Sequence, residues 1–397
     1  MTTSTDAARP APGPAGETSA AGRIGGLALA AAFLAALYGL PLLRVAKNRL
    51  VVGEPVFAVG GFGPEIEAVA ALAVGAAVLA RTGRSRVAAV AATVLLALAL
   101  GLLVLGLGSA ADDLIAGEPP AARAGLASGA WTGLLLLGGG LALLARRTGV
   151  PGLGAALACG FVLFVAATGQ AGALGGLSLA VEFAARGDAV GEALVRHLLL
   201  SGGAVLLAAA GAVLLSLWRR GQGLAEILVG GIQVVPAVAL FGALVATTSG
   251  LLRAVPALRE AGLGALGPVP ALVGIAAYLL LPLWRGLALA LKAPDPATLD
   301  AAEAIGLTPR RILFDVRLPI GAGILIGALR VACVQGIGLA TLGPLVGAGG
   351  LGGIVFDGMA QFAPDLILLG AIPVVVLSLA VERGLSFAED RVRQGRA

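Results

Sequence analysis

Apolar runs long enough to cross a bilayer as helices, about 20 residues each, recur along the chain with short polar breaks between them. They lie at about Gly25 to Leu43, Glu65 to Ala80, Val87 to Gly108, Leu126 to Ala145, Val150 to Gln170, His197 to Trp218, Ala225 to Thr248, Val269 to Leu291, Ile320 to Leu345 and Leu366 to Leu385. The pattern predicts an all-α polytopic membrane protein of about ten transmembrane helices. Glu65 to Ala80 is the shortest and weakest run, so nine is the alternative count. Met1 to about Gly22 is rich in Ala, Pro, Thr and Gly and has no apolar stripe, which predicts a disordered tail. The run from Gly25 is too long for a removable signal and lacks a convincing cleavage site, so it counts as the first span.

One polar stretch stands apart from the other breaks. Lys292 to Pro319, KAPDPATLDAAEAIGLTPRRILFDVRLP, separates two of the longest apolar runs. Asp295 is an N-cap type with Pro296 at the first helical position, and Gly306 suits the left-handed residue that closes a short helix. Thr308 and Pro309 repeat the opening. A second helix from Pro309 to about Arg317 is expected to stop at Pro319, giving helix, glycine corner and helix.

Composition rules out an ordinary soluble domain. Of 397 residues, 58% are hydrophobic and only 12% charged, with mean hydropathy +1.00, where soluble domains carry about a quarter charged. The 62 glycines fit helices that approach closely in lipid. Net charge is +5 and the pI about 10.0, yet the basic residues cluster at span ends rather than on one face, which signals topology and excludes nucleic acid as a partner. Arg81, Arg84 and Arg86, then Arg146 and Arg147, Arg219 and Arg220, Arg310 and Arg311, and Arg391, Arg393 and Arg396 all alternate to one side. That side is expected to be cytoplasmic, with both termini and the 292–319 loop, in a multi-pass protein of the inner membrane. Arg44, Lys47 and Arg49 depart from the pattern. Cys159 and Cys333 fall inside apolar runs, so no disulfide framework or metal site is indicated.

The loop also carries a motif. Asp300-Ala301-Ala302, Gly306 four residues on, and Val316-Arg317-Leu318-Pro319 resemble the EAA loop of ABC importer permeases, with Asp300 for the usual glutamate and Val316 for the usual isoleucine. The resemblance extends to the glycine betaine, choline and osmoprotectant permeases through His197-Leu198-Leu199-Leu200-Ser201, Gln233 to Gly242, Tyr278 to Arg285 and Gly347 to Gly352. Lys47 to Glu54 and Leu177 to His197 are similar to the branch of bacterial glycine betaine permeases with a long N-terminus. It implies a domain layout of tail 1–22, an N-terminal membrane region 23–190 of about five helices, and a type I transmembrane domain 191–393. It further implies that Asp300, Ala301, Ala302, Gly306, Leu307 and Pro319 couple to an ATPase subunit that itself binds ATP, so that this chain needs no cofactor and is not an enzyme. The other implied partners are a second permease subunit, an extracytoplasmic substrate-binding protein and membrane lipid. Glycine betaine or a similar quaternary amine is the implied cargo, with another small polar solute or an ion-coupled carrier as alternatives.

Other motifs are weighed against plainer readings. Leu200-Ser201-Gly202-Gly203 imitates an ATPase signature, but it lies in an apolar run and no phosphate-binding G-x-x-x-x-G-K-[ST] accompanies it. Gly347 to Gly353 lacks the flanking strand of a dinucleotide turn, so close packing or a gate at the outer end of the ninth span is expected. Gln233, Pro236, Gln335, Gly349, Gly350 and Gly352 are the candidate gate or path residues, with interhelical hydrogen bonding as the alternative use of the glutamines. His197, the single histidine, is expected to be structural. Glu182, Asp188, Glu192, Asp357 and Asp365 are expected on solvated surface, and Glu226 and Glu382 do not form a proton relay.

Overall fold

The computed structural model describes residues 17–48, 51, 53–83, 85–119, 121–218 and 222–394, with side chains from 26 onward and not at 222. The basic residues Arg49, Arg84, Arg219, Arg220 and Arg396, and the first sixteen residues of the expected tail, lie outside the described residues. The chain forms two compact units, the first ending at Ala184 and the second beginning at Ala185. The sequence-based boundary was 190/191, a few residues later.

In the first unit, α1 (Glu17–Gly39) begins inside the segment expected to be unstructured, ahead of Gly22. Strands β1 (Leu43–Ala46) and β2 (Glu54–Val56) follow, then the single turn α2 (Ala58–Gly61), α3 (Glu65–Thr82), α4 (Arg86–Ile115), β3 (Arg123–Leu126), α5 (Ser128–Arg147) and α6 (Leu153–Gln170). Helix α3 satisfies its ends with charge: Glu65 and Glu67 sit in its first turn and Arg81 in its last, each facing the favourable end of the helix dipole. Ser85 caps α4 by accepting the Ala88 amide at 3.2 Å. Phe33, Leu37, Ile66, Leu103, Leu107 and Leu137 fill the core among α1, α3, α4 and α5.

The apolar pattern predicted helices alone, and this unit adds a three-stranded antiparallel sheet in the order β2-β1-β3. Leu43 pairs with Val56 on one side and Leu126 on the other, and it is fully buried. The strands are three or four residues long and β1 pairs with β3 about eighty residues further along the chain, so no short-range alternation announces the pairing. Glu182, expected on solvated surface, is instead buried and lies 3.8 Å from the Arg123 guanidinium. Pairing is what allows a carboxylate there.

The chain passes to the second unit inside α7 (Ser178–Leu217), where Arg186 leaves helical geometry with φ −133° and ψ 15°. Then come α8 (Gln222–Ile232), α9 (Ala237–Ala254), the turn α10 (Ala257–Glu260), α11 (Pro268–Leu291), α12 (Pro296–Ala304), α13 (Pro309–Arg311), a π-helical segment (Ile312–Arg317), α14 (Leu318–Ala340), a 3-10 turn (Gly343–Val346), α15 (Leu351–Ala360) and α16 (Pro364–Gln394). The expected seventh span is thus two helices, broken between Ile232 and Ala237. Helices α11 and α14 pack closely, with Gly286 against Ala328 and Gly321 against the Ala290 carbonyl, the small-residue approach that lipid favours. Eight helices of the described chain are long and apolar enough to span a membrane, and shorter apolar helices lie at Gly26–Gly39, Gly223–Ile232 and Leu351–Ala360. The eight together with these shorter apolar helices agree with a membrane protein of about ten helices.

Candidate functional site

The loop between α11 and α14 is built from local capping chemistry. The Asp295 carboxylate accepts the Thr298 amide at 2.6 Å, and Pro296 occupies the first helical position. That hydrogen bond, followed by others at the same helix end, holds the Asp295 carboxyl below the usual carboxylate range. Helix α12 closes as the sequence requires. Gly306 has φ +82°, its amide donates to the Glu303 carbonyl at 2.9 Å, and the Leu307 amide reaches back to the Ala302 carbonyl at 3.1 Å, the paired bonds of a Schellman cap. Thr308 then caps α13 through the Arg311 amide at 3.4 Å, with Pro309 first in the helix.

Pro319 does not stop the second helix. From Pro309 to Ala340 the chain is helical throughout, and it widens into π geometry over Ile312–Arg317 just before the proline. The Leu318 amide donates to the Leu313 carbonyl, five residues back. A proline in an α-helix clashes with the carbonyl four residues earlier and offers no amide. The wider π turn removes that conflict, so Pro319 sits in the first turn of α14 and the helix continues.

Of the two motif alanines only Ala301 stays on the surface. Ala302 is 6% exposed, and α12 packs on the π segment, so its small side chain serves the loop's own fold. Asp300 and Gly306 are exposed and Leu307 half-buried. Two apolar residues that the motif did not single out protrude instead: Ile305 is 77% exposed and Phe314 62%. The signal was present, since both are large apolar side chains inside an otherwise polar stretch. At the loop's base the Arg317 guanidinium donates to the Leu291 carbonyl at 2.6 Å and ties the start of α14 to the end of α11.

The candidate path residues fall into two groups that the structure does not bring together. Gln233 and Pro236 flank the break between α8 and α9. Pro282 lies inside α11 and leaves the Tyr278 carbonyl, four residues earlier, without its helical donor. The Gln233 side-chain amide fills that vacancy at 2.8 Å, while the Tyr278 hydroxyl donates to the Val235 carbonyl. A glutamine in an apolar run and a proline four residues after a tyrosine were the signals for this clasp, which sequence reading did not join. Gln335 is exposed on α14.

The glycines lie at the other level. Gly349 and Gly350 have φ +73° and +99°, and a Cβ at Gly352 would lie 1.8 Å from the Thr341 carbonyl. His197 is fully buried beside them, its Nε2 3.0 Å from the Ile337 carbonyl and its ring against Gly350. This is a packing joint where α7, α14 and the glycine turn meet. Gly267, at the start of α11, donates to the Val346 carbonyl at 2.7 Å. Tyr278 is eleven residues further along α11, roughly 16 Å at the helical rise.

Charges pair inside the second unit as well. Arg330, mid-way along α14, lies 3.2 Å from Glu382 and 3.5 Å from Glu389 of α16, and Glu389 meets Arg393 at 2.9 Å. Glu382 is thus an ion-pair partner.

Residues 22–180 match the N-terminal domain of the ABC transporter permease YehY. The choline transport system permease protein OpuBB of Bacillus subtilis is 30% identical over 188 residues, which is 47% of this chain and 79% of that protein. The chain belongs to the ABC transporter permease family. The carnitine transport permease protein OpuCB of Listeria monocytogenes is 35% identical over 127 residues, 32% of this chain, and the match spans 58% of that relative's length. The osmoprotectant import permease protein OsmW of Salmonella typhimurium is 29% identical over 37% of this chain and 64% of its own length. Among solved structures, an inward-facing MetNI methionine ABC transporter aligns with 51% of this permease and 95% of that chain at 20% identity, with a TM-score of 0.43.

Proposed function

We propose that this permease carries a small osmoprotectant of the quaternary-amine type, such as glycine betaine, across the inner membrane, driven by a separate ATPase subunit. The loop carries the reading. A capped helix, a glycine corner and a second helix present Ile305, Phe314 and Ala301 outward on a rigid base, the form of an apolar anchor for a groove in a partner. Asp300, Ala301, Gly306 and Leu307 set the outer face of that anchor. Ala302 and Pro319 shape it from within. Substrate class is supported by the choline, carnitine and osmoprotectant relatives. Basic residues at Arg81, Arg146, Arg147, Arg310, Arg311, Arg391 and Arg393 support a cytoplasmic loop and cytoplasmic termini.

Two permease subunits, alike or related, would flank the path, and an extracytoplasmic binding protein would deliver cargo. Gln233, Pro236, Gln335 and the Gly349–Gly352 turn would act as hinge and gate, with the loop switching them between two packings. At the end opposite the loop, the turn joining α15 to α16 exposes Phe362, 88% accessible and with φ +51°, a position suited to a docking partner. The test is reconstitution with the ATPase and binding protein, measuring betaine uptake and ATP hydrolysis. Ile305→Asp with Ala301→Glu should abolish both while membrane insertion persists. Uptake that continues without ATP, or in that double variant, would overturn the proposal.

A further inference from the structure

The first unit contains a cavity of about 290 Å³ between α1, α3 and α5. Its walls are small or aliphatic, including Leu29, Phe33, Ala77, Leu136 and Gly140, and the one charged group lining it is Arg147, in the last turn of α5. The Arg147 guanidinium donates to the Ala80 carbonyl at 3.3 Å, which brings the ends of α3 and α5 together. Arg81 and Arg146 stand on those same two ends. Glu65 and Glu67 open α3 at its far end, and Asp112 and Asp113 close α4. An apolar slot between membrane helices therefore has a basic mouth.

We infer that this slot binds an anionic phospholipid, its acyl chain between α1, α3 and α5 and its phosphate at Arg147, Arg81 and Arg146. Within a bilayer an apolar slot gains nothing by exchanging one hydrocarbon chain for another, so headgroup charge decides which lipid stays. Basic groups gathered at one mouth select negative headgroups. A free phosphate would meet the same arginines but would leave the slot unused. The inference needs only that the chain spans a membrane and is independent of cargo and ATPase.

The experiment uses the full chain, purified and exchanged into micelles with equal amounts of phosphatidylglycerol and phosphatidylethanolamine of identical acyl chains, and reads retained lipid by native mass spectrometry. Phosphatidylglycerol should be enriched about five-fold for each arginine engaged. Arg147→Gln should cut that enrichment by about five-fold and Arg147→Lys should keep most of it. Ala77→Phe, which fills the slot, should remove the retained lipid of either kind. Glycerol phosphate should not displace it. Equal retention of the two lipids by the unmodified protein, enrichment unchanged in Arg147→Gln, or displacement by glycerol phosphate alone would each overturn the inference. Should Ala77→Phe fail to fold, the lipid competition and the Arg147 pair still decide.

Discussion

At the scale of single residues, two glycines separate backbone need from space. Gly306 has φ +82° with nothing within 4 Å of where a Cβ would stand. Gly306→Ala should therefore cost only the left-handed conformation, about 1 kcal/mol, and Gly306→Asn less, read as loss of amide protection at Leu307. Gly352 has an ordinary φ but no room, since the Thr341 carbonyl occupies the Cβ position. Gly352→Ala should displace the start of α15 and lower the melting temperature well beyond the Gly306 change. Asp295 supplies a pH-dependent cap. Its folded pKa is depressed, so its contribution is complete above the ordinary carboxylate pKa of about 4 and fades as pH falls through the lower folded value. Protection of the Thr298 amide should fall in that acidic window, and Asp295→Asn should keep the cap while flattening the pH response.

At the scale of elements, what could be read in advance was what is local. Asp295 with Pro296, Gly306, and Thr308 with Pro309 each declare their geometry within four residues, and the structure forms all three caps. Pro319 misled because its effect depends on whether the turn before it can widen, which the residue alone does not say. The β1 partners sit ten and eighty residues away in sequence, roughly, and no short pattern reports such pairing. The break after Ile232 depended on α11: Gln233 answers the carbonyl that Pro282 strands. Gln233→Leu should leave that half-buried carbonyl without a donor and cost about 1–3 kcal/mol, whereas Tyr278→Phe, which only removes a hydroxyl donor, should cost about 1 kcal/mol. Chemical melts of the purified protein would rank the two, and the reverse order would mean that the tyrosine is the stronger clasp. The charge cluster invites the same comparison. Glu389 is more buried than Glu382, so Glu389→Gln should destabilise the α14–α16 pair more than Glu382→Gln.

At the scale of the whole molecule, each unit has its own core, one around Leu103 and Leu137 and the other around Ile275 and Leu279. Damage should stay where it is made. Leu137→Ala, of order 2 kcal/mol, should weaken the first unit while the permease still captures its ATPase partner, and Leu279→Ala should impair that capture. Co-purification beside a thermal melt distinguishes these outcomes. The strands and the Arg123–Glu182 pair that furnish the first unit were not readable in the sequence, because each joins residues far apart along it.

The stitch between Arg317 and the Leu291 carbonyl has a mechanical meaning. A strap whose two feet are fastened together cannot be pulled apart by whatever grips its crest. If the proposed partner grips Ile305 or Phe314, its force would rock both supporting columns as one, and cutting the stitch with Arg317→Ala should leave the grip intact while the stroke slips.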